Sequence, residues 1–447
     1  MHPHLSRHLL RWASVTVAAS AALAAGSLLP VSAASAAVPA ARVISPGTRF
    51  FVPPPSSGAP QQVIGLLKAH DLKDAALVTE METIPRAVWF TSGTQAQVQQ
   101  QVRQTMTEAA IERAVPVLVA YDIPGRDCAQ YSAGGALDES AYEAWIEGFA
   151  GGIGKGKAVV ILEPDALGNM PSGCGLPSTT YPFTDAERIA EIQYAVSALE
   201  ADPGVSVYLD GTHSAWQSVG TITQRLLEAS VQQAQGFFLN VSNYQADPNL
   251  TDYGTWISDC IAMVTDPSNA YYSNPAACAS QYYPATESDF STWGLTTAWY
   301  AQNMGGAVAA THFVIDTSRN GDGPNGMQQY ANAPYNQPAS VISTLAGGNW
   351  CNPPASGLGL KPTANTGVPL LDAYLWVKTP GQSDGQCDAA GGVRAWDYTA
   401  YTQPGWPADA ASQALFDPLW GIDDPAAGAW FPQQALQLAQ DASPSLP

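Results

Sequence analysis

The chain has 447 residues, with 38 acidic and 18 basic side chains that give a formal net charge of -20 at neutral pH. An acidic surface of this kind repels nucleic acid and anionic membranes, so we expect neither as a partner. The low charged fraction of 13%, with 39 glycines and 35 prolines, is typical of a loop-rich globular protein with one large core.

The first 36 residues have the three-part pattern of a secretory signal peptide. A positive lead with Arg7 and Arg11 precedes the uncharged run Trp12–Leu29, and a small-residue cleavage site follows at 34–36. We therefore expect residues 1–36 to be removed and the mature protein to be secreted. A retained membrane anchor is the alternative, which the Ala- and Ser-rich run and its cleavage site disfavour.

The rest of the sequence has the composition of a single domain. Residues 37–47 form a short leader rich in Ala and Pro, and residues 48–447 contain no repeat, no linker and no second composition. No segment in this part is apolar for long enough to cross a bilayer. We therefore predict one domain of catalytic size over residues 48–447.

Seven apolar runs have the character of strands. Most are continuously hydrophobic rather than alternating, which is typical of strands buried on both faces of a parallel sheet. In chain order these runs are Arg86–Phe90, Val117–Tyr121, Ala158–Glu163, Val205–Asp210, Gly236–Val241, His312–Asp316 and Tyr374–Lys378.

Helical patterns separate the predicted strands. They cover Gln95–Ala114, Glu139–Ala150, Asp185–Ala201 and Ile222–Gln235. Thr184 and Glu187 have the spacing of a capping box before the third of these helices. Strands that alternate with helices predict a parallel α/β sheet, either open or closed into a barrel.

Polar or aromatic side chains stand at the ends of almost all the predicted strands. They are Trp89, Tyr121, Asp127, Glu163, Asp165, Asp210, Asn240, Asn243, Asp316, Lys378 and Asp384. In a parallel barrel the carboxyl ends of all strands meet at one mouth, whereas an open doubly wound sheet brings together only those at its switch point. The distribution therefore favours a barrel with one shared cleft.

Carboxyl groups at the ends of buried strands indicate acid–base chemistry. Desolvation raises the pKa of a carboxyl group, so Asp165, after the most apolar strand, is the candidate proton donor. Asp127 beside it raises that proton affinity further as a like charge, while Arg126 keeps Asp127 ionised. Hydrolysis of a glycoside needs such an acid and a second group that activates water. For either aspartate alone, a helix N-cap or a loop salt bridge is the alternative.

Motifs of other chemistries are absent or incomplete. There is no G-x-G-x-x-G, no P-loop and no close pair of Cys or His, so we expect no cofactor and no metal. Without a G-x-S-x-G elbow a serine hydrolase is disfavoured but not excluded, since His213 follows Asp210 by three residues. Alternatively, His213 is a structural histidine and Asp316 forms an ion pair with Arg319.

Tryptophans beside the predicted strand ends favour a polysaccharide substrate. The faces of Trp89, Trp216 and Trp350 can stack on the C–H face of a β-linked glucose, which favours an all-equatorial glucan. Because the chain has 13 tryptophans, a core position is the alternative for each of the three.

The six cysteines are even in number, which favours disulfides in a secreted protein. Six cysteines allow 15 pairings. Pairing between neighbours is the simplest prediction, and it gives Cys128–Cys174, Cys260–Cys278 and Cys351–Cys387.

Two segments, YDIPGRDC followed by SAGGA at 121–136 and ILEPDAL at 161–167, resemble the signatures of glycoside hydrolase family 6. This family comprises inverting β-1,4-glucanases, both endoglucanases and cellobiohydrolases. The resemblance runs from about Phe50 to the C-terminal region. It implies a distorted seven-stranded β/α barrel and a β-1,4-glucan or cello-oligosaccharide substrate. We also expect the protein to be a monomer.

The resemblance also implies roles for single residues. It makes Asp165 the general acid, Asp127 the neighbour that holds its proton and orients water, and Asp384 the candidate base. A water relay that ends at Asp127 is the alternative base. The residues implied or expected to bind substrate are Trp89, Tyr121, Arg126, Ser132, Asp210, His213, Trp216, Asn243, Trp350, Lys378 and Gln382.

This chain departs from the family pattern at two positions. Gln382 replaces the usual Glu two residues before Asp384, and Ala133 stands where a water-binding serine is usual, with Ser132 adjacent. Both changes leave the acid intact, so we expect activity; a catalytically silent carbohydrate-binding protein is the alternative.

Loop lengths favour endo action. The stretch after Cys128 is compact, and Cys387 follows Asp384 by three residues. The long segments 245–311 and 392–428 favour the alternative, a cellobiohydrolase, because they can roof the cleft.

Overall fold

The structure is a computed structural model that describes residues 44–402 and 405–447 of the chain. The predicted signal peptide, residues 1–36, and the predicted leader up to residue 43 lie outside this range. In the part of the chain that is described, no helix has the length and the apolar character needed to span a bilayer.

Seven strands within the described residues form one parallel sheet, in which the strands follow one another in chain order. Ile161 of the third strand, for example, lies opposite Val119 of the second and Tyr208 of the fourth. The bounds are β1 Val88–Phe90, β2 Val117–Ala120, β3 Ala158–Leu162, β4 Val205–Asp210, β5 Gly236–Leu239, β6 His312–Asp316 and β7 Leu371–Leu375.

The sheet curls into a distorted barrel. Its edge strands β1 and β7 are not paired in the sheet. The backbone N–H of Ala87 donates to the carbonyl of Trp376 at 2.8 Å, and the indole N–H of Trp89 donates to the carbonyl of Val377 at 2.8 Å. The predicted seven-stranded α/β barrel is therefore confirmed, and the two hydrogen bonds join the chain at β1 to the residues that follow β7.

Helices connect the strands and cover the outside of the sheet. Within the described residues they are α1 Ala59–Lys68, α2 Leu72–Glu82, α3 Gln95–Glu112, α4 Glu139–Ile153, α5 Asp185–Glu200, α6 Val219–Glu228, α7 Asp247–Thr265, α8 Gly294–Asn303, α9 Ala339–Gly347, α10 Ala410–Leu415 and α11 Pro432–Gln440. The predicted capping box of α5 is present, with the Thr184 N–H donating to Glu187 at 2.9 Å and the Glu187 N–H donating to the Thr184 hydroxyl at 3.2 Å.

Two predicted elements are displaced at both ends, while most of the others differ from the structure by one to three residues at one end. The helix predicted over Ile222–Gln235 is α6, which begins at Val219 and ends at Glu228, because Ser230 adopts a left-handed φ of 66°. The strand predicted over Tyr374–Lys378 is β7, which lies three residues earlier. It ends at Leu375 because the next backbone N–H groups do not continue the ladder: those of residues 377 and 378 donate to the carboxylate at the end of β6.

The apolar core lies on both sides of the sheet. Inside the barrel, Val119, Ile161 and Tyr208 pack with other strand residues. On the outer face, Leu118 and Val160 pack with residues of the surrounding helices. Because both faces are covered, the strands read as continuous apolar runs in the sequence.

Three disulfides join neighbouring cysteines: Cys128–Cys174, Cys260–Cys278 and Cys351–Cys387. The first joins the loops that follow β2 and β3. The third joins the segment after α9 to the segment after β7. Two of the three bonds therefore hold loops at the carboxyl ends of the strands.

Candidate active site

The loops at the carboxyl ends of the strands contain an unusual concentration of left-handed backbone. Outside glycine, positive φ angles occur there at Asp127, Cys128, Ala129, Glu163, Asp165, Thr212, Asn240 and Ser242. A non-glycine residue in this conformation costs about 1 kcal/mol or more, and such residues cluster at functional sites. The mouth of the barrel is thus the candidate active site.

Asp165 follows β3 with a φ of 67° and is partly exposed at this mouth. Burial of its carboxyl group, together with the nearby charges of Asp210, Asp127 and Asp384, raises its pKa well above the usual value, and Lys378 only partly opposes this shift. These surroundings favour the protonated form of Asp165, the form that the sequence analysis expects of a proton donor.

Asp210 lies beneath the loop that carries Asp165. One of its oxygens accepts hydrogen bonds from the N–H groups of Leu167 at 3.1 Å and Gly168 at 2.9 Å, and the other accepts one from Thr212 at 2.8 Å. Burial raises the pKa of Asp210 to about 6, although these three N–H donors lower it. At 2% exposure, the Asp210 side chain fixes the loop rather than facing a ligand.

Asp127 is the second partly exposed carboxylate of the mouth. It accepts a hydrogen bond from the backbone N–H of Ser132 at 2.6 Å. Burial raises its pKa to about 6, although the Ser132 N–H and the charge of Arg126 lower it. The Ser132 main chain, rather than its hydroxyl, thus holds this carboxylate.

Arg126 acts on Asp127 through its field, since its guanidinium is hydrogen-bonded elsewhere. It donates to the carbonyls of Ser132 at 2.8 Å and Thr91 at 3.0 Å, and also to that of Tyr121. It also lies over the Tyr121 ring, 4.5 Å from the ring centroid. Arg126 and Tyr121, both expected to bind substrate, therefore stabilise the loop of Asp127.

Asp384 is a buried carboxylate surrounded by donors. Arg319 contacts one oxygen at 2.8 Å, and Lys378 contacts the other at 3.0 Å. The Tyr244 hydroxyl and the Asn352 N–H donate to the first oxygen at 3.2 and 3.0 Å. Burial opposes ionisation, but the two cations hold the pKa of Asp384 at about 2. Asp384 is therefore ionised at all ordinary pH values.

Asp316 fixes the position of Lys378. It is 1% exposed and accepts hydrogen bonds from the N–H groups of Val377 at 3.0 Å and Lys378 at 2.9 Å. Arg319, expected as its ion-pair partner, instead pairs with Asp384, so that alternative is wrong. These contacts explain why the Lys378 ammonium reaches Asp384.

Five more of the residues expected to bind substrate are partly exposed: Trp89, Asn243, Trp216, Trp350 and Gln382. The His213 ring lies 5.6 Å from that of Trp216 and accepts a hydrogen bond from the Ala215 N–H at 3.3 Å. Burial lowers the pKa of His213 to about 4, so it is neutral at pH 7. Trp216 packs against Gly168 of the Asp165 loop, and the Trp350 ring lies 6.1 Å from that of Tyr131 in the Asp127 loop, so aromatic groups lie beside both loops.

Two residues of the site were missed by sequence reasoning as contributors to it. Arg319 pairs with Asp384 across 65 positions of sequence, and Asn352 contacts the same carboxylate from 32 positions away. Asn352 follows the Asn-Trp-Cys segment, which was the signal that could have drawn attention to it. In the described residues, no group of three or more His, Cys, Asp and Glu side chains suits a metal ion.

Comparisons with known proteins agree with this geometry. The family described as "Glycosyl hydrolases family 6" matches residues 45–442. Endoglucanase A of Cellulomonas fimi is 32% identical over 352 residues, which cover 78% of this chain and 59% of that protein. Endoglucanase 1 of Streptomyces halstedii is 32% identical over 381 residues, which cover 84% and 94%.

A solved structure gives the same picture. The endoglucanase Cel6 of Mycobacterium tuberculosis, in complex with methyl-cellobiosyl-4-deoxy-4-thio-β-D-cellobioside, has a TM-score of 0.59 and 30% identity, with 90% of this chain and 99% of that one covered. Among the first curated relatives, however, the chain spans only 59% to 65% of the length of three endoglucanases.

Replacing Asp384 with Asn should destabilise the protein by about 3–5 kcal/mol at neutral pH, because it leaves two buried cations without their anion. The folded pKa of about 2 lies below the ordinary 3.8, so Asp384 contributes its stability above pH 4 and loses it as the pH falls towards 2. Thermal unfolding of the wild type and of Asp384→Asn at pH 7, 4 and 2.5 measures this loss of stability.

Asp388→Asn is the matched control. Asp388 is also buried in this loop, but it contacts the neutral donors Gly391 N–H and Tyr131 O–H. We expect a smaller loss of melting temperature for the control at pH 7. A loss for Asp384→Asn that is equal to the control, or that is the same at pH 7 and pH 2.5, contradicts the ionic role.

Proposed function

The chain belongs to glycosyl hydrolases family 6, and from this premise we propose that it hydrolyses β-1,4-glucosidic bonds of cellulose or a related β-glucan with inversion. The observation that carries the proposal is the opposite protonation of two carboxyl groups at one mouth. Burial and like charges raise the pKa of Asp165, whereas Arg319 and Lys378 hold that of Asp384 at about 2. Cleavage of an acetal needs both a proton donor and fixed negative charge.

In this mechanism, Asp165 donates its proton to the glycosidic oxygen as the bond to the anomeric carbon breaks. Asp127 keeps that proton on Asp165, because a second charge close by makes ionisation of Asp165 costly. Asp210 holds the loop of Asp165 through the N–H groups of Leu167 and Gly168. The acid is thereby oriented before substrate binds.

The identity of the base follows from proton affinity. A carboxylate with a pKa of about 2, hydrogen-bonded by Arg319, Tyr244 and the Asn352 N–H, is a weak acceptor for the proton of water. Asp127, with a pKa of about 6, is the stronger acceptor. We therefore assign the attacking water's proton to Asp127 through a water relay, and to Asp384 the electrostatic stabilisation of the positive charge at the anomeric centre.

The partly exposed side chains of the site bind the sugar rings in this proposal. The faces of Trp89, Trp216 and Trp350 suit stacking on β-linked glucose rings. Asn243 and Gln382 can hydrogen-bond hydroxyl groups of the glucan, while Lys378 acts through Asp384. Ala133 offers no hydroxyl group for the attacking water, so the adjacent Ser132 is the candidate to hold it.

Endo action is the favoured mode. The two named bacterial relatives are endoglucanases, and the solved neighbour is an endoglucanase with a bound thio-oligosaccharide. One contact favours the alternative, a cellobiohydrolase. The Tyr282 hydroxyl donates to the carbonyl of Trp216 at 2.9 Å, so the long segment 245–311 reaches a tryptophan proposed to stack on sugar and can help to roof the cleft.

Secretion and a monomeric state complete the proposal. The signal-peptide pattern and the three disulfides suit an oxidising compartment outside the cytoplasm. The acidic surface suits a neutral polysaccharide rather than a nucleic acid or a membrane as the partner. The mechanism uses carboxyl groups alone and requires no cofactor.

Asp165→Asn should lower the kcat for cellohexaose by about 10³-fold, because no proton reaches the leaving oxygen. Binding of cellohexaose, measured by calorimetry, should be retained. An aryl cellobioside with a dinitrophenolate leaving group needs no proton and should lose far less activity, which separates loss of the acid from misfolding. Proton NMR of the wild-type reaction should show the α-anomer as the first product, and an initial β-anomer refutes inversion. Turnover of cellohexaose that survives Asp165→Asn refutes the role of Asp165 as the general acid.

The pH profile tests the base. If Asp127 accepts the proton, kcat should fall as the pH drops below about 6, where this carboxylate becomes protonated. Asp127→Asn should lower kcat and remove this acidic limb, while Gln382→Asn, as a control at the mouth, should keep it. An acidic limb that persists in Asp127→Asn assigns the base to another group.

Soluble carboxymethylcellulose distinguishes endo from exo action. An endoglucanase cuts chains internally, so viscosity should fall steeply for each reducing end released. Viscometry and a reducing-sugar assay on the same samples measure the ratio. A slow fall in viscosity with cellobiose as the main product would instead assign the chain as a cellobiohydrolase.

A further inference from the structure

A buried network of side chains lies directly behind Asp384. Its centre is Asn352, which is fully buried and has a left-handed φ of 40°. The Asn352 N–H donates to Asp384 at 3.0 Å, and the Asn352 side-chain oxygen accepts from the Asp384 N–H at 2.8 Å. Asn352 therefore clamps both the carboxylate and the main chain of Asp384.

The other side of Asn352 faces the long segment 392–428. Its amide nitrogen donates to Asp424 at 2.9 Å, and its main-chain carbonyl accepts from the Trp420 indole at 2.7 Å. The same nitrogen lies 3.0 Å from the Ser383 hydroxyl oxygen. Asn352 therefore links Asp424 to Asp384, and further contacts to the Gly385 carbonyl and the Gln434 side chain also hold it.

Asp424 is one half of a buried carboxyl pair. It is 3% exposed, and its partner Asp417 is fully buried. Arg394 donates to one Asp417 oxygen at 3.0 Å, so one cation faces two carboxyl groups. Asp417 Oδ2 and Asp424 Oδ1 receive no hydrogen bond from any donor in the described residues. The two side chains nevertheless contact each other. A hydrogen bond between two carboxyl groups requires a proton on one of them, so the contact suits a pair that shares one proton.

Electrostatics agree with this geometry. Burial first, and then the charge of Asp417, raise the pKa of Asp424 to about 9, while Asn352 and Arg394 act in the opposite direction. Tyr330 and Tyr398 also lie in the field of Asp417, and beyond Asn352 lies Asp384 with its two cations. Asp424 is therefore mainly protonated below pH 9.

We propose that Asp424 is a positioning residue for Asp384: as a neutral carboxylic acid it holds Asn352, and the segment 392–428 thereby completes the active site from behind. Its catalytic effect rests on the proposed function, because Asp384 matters for turnover only if the chain is a glycosidase. The placement of Asn352 and the sharing of a proton do not depend on that function.

The test compares two substitutions at one position. Asp424→Asn keeps an oxygen for Asn352 and gains an N–H for Asp417, so it mimics the protonated acid. Asp424→Leu has a similar size and neither group. We expect kcat for cellohexaose to stay within about twofold of the wild type for Asn and to fall about tenfold or more for Leu, with KM changed less, because a misplaced Asp384 acts on the transition state.

A stability measurement reports the shared proton directly. An acid with a raised folded pKa costs the wild type more stability as the pH rises from 4 towards 9, and Asn carries no such cost. The melting temperature of Asp424→Asn should therefore rise relative to the wild type between pH 5 and pH 9. Asp423→Asn, a substitution of the adjacent exposed aspartate, is the matched control and should show no such trend.

The outcomes separate the hypotheses. A wild type without turnover refutes the proposed function. An active wild type with equally active Asp424→Leu overturns the positioning role, as does Asp424→Asn with the same kcat loss as Leu. A constant melting difference between Asp424→Asn and the wild type overturns the shared proton, and this readout holds even where Asp424→Leu fails to fold.

Discussion

The structure depends on keeping several carboxyl groups together at one mouth. Asp127, Asp165, Asp210 and Asp384 influence one another there, and each needs its own compensation. Asp384 has two cations, Asp210 has three backbone N–H groups, and the raised pKa of Asp165 favours its neutral form. The different compensations produce different proton affinities. In the proposed mechanism these proton affinities decide which carboxyl group donates a proton, which accepts one and which stabilises charge. The contacts that make the carboxyl groups compatible with the fold therefore also prepare them for catalysis.

The backbone supports this arrangement where the strands end. Left-handed residues at Asp127 and Asp165 turn the chain sharply, and such conformations persist only where the surroundings fix them. The Cys128–Cys174 bond joins the two loops concerned, and Cys351–Cys387 lies beside Asn352 and Asp384. Cross-links at these points restrict the loops rather than the strands, which the apolar core on both faces of the sheet already holds.

The sequence predicts those features that depend on local pattern. Continuous apolar runs predict all seven strands, and the carboxylates after them predict where the site lies. The bounds of β7 could not be predicted, because Asp316 captures two N–H groups that would otherwise extend the strand. The partner of Arg319 could not be predicted either, since it lies 65 positions away. The Asn-Trp-Cys segment before Asn352 marks its neighbourhood, but its role could not be predicted, because that role comes from contacts on both sides of a buried amide.

The low proton affinity of Asp384 constrains what can lie behind it. A second buried anion beyond Asn352 would raise the energy of the ionised Asp384 and weaken the effect of Arg319 and Lys378. In the proposed arrangement, Asp417 and Asp424 share one proton and face Arg394, so the network presents no net charge to the site. A neutral carboxylic acid can still hydrogen-bond Asn352, which an apolar side chain cannot. A proton-sharing pair is therefore a means of holding Asp384 firmly from behind while its two cations and its hydrogen-bond donors keep it ionised.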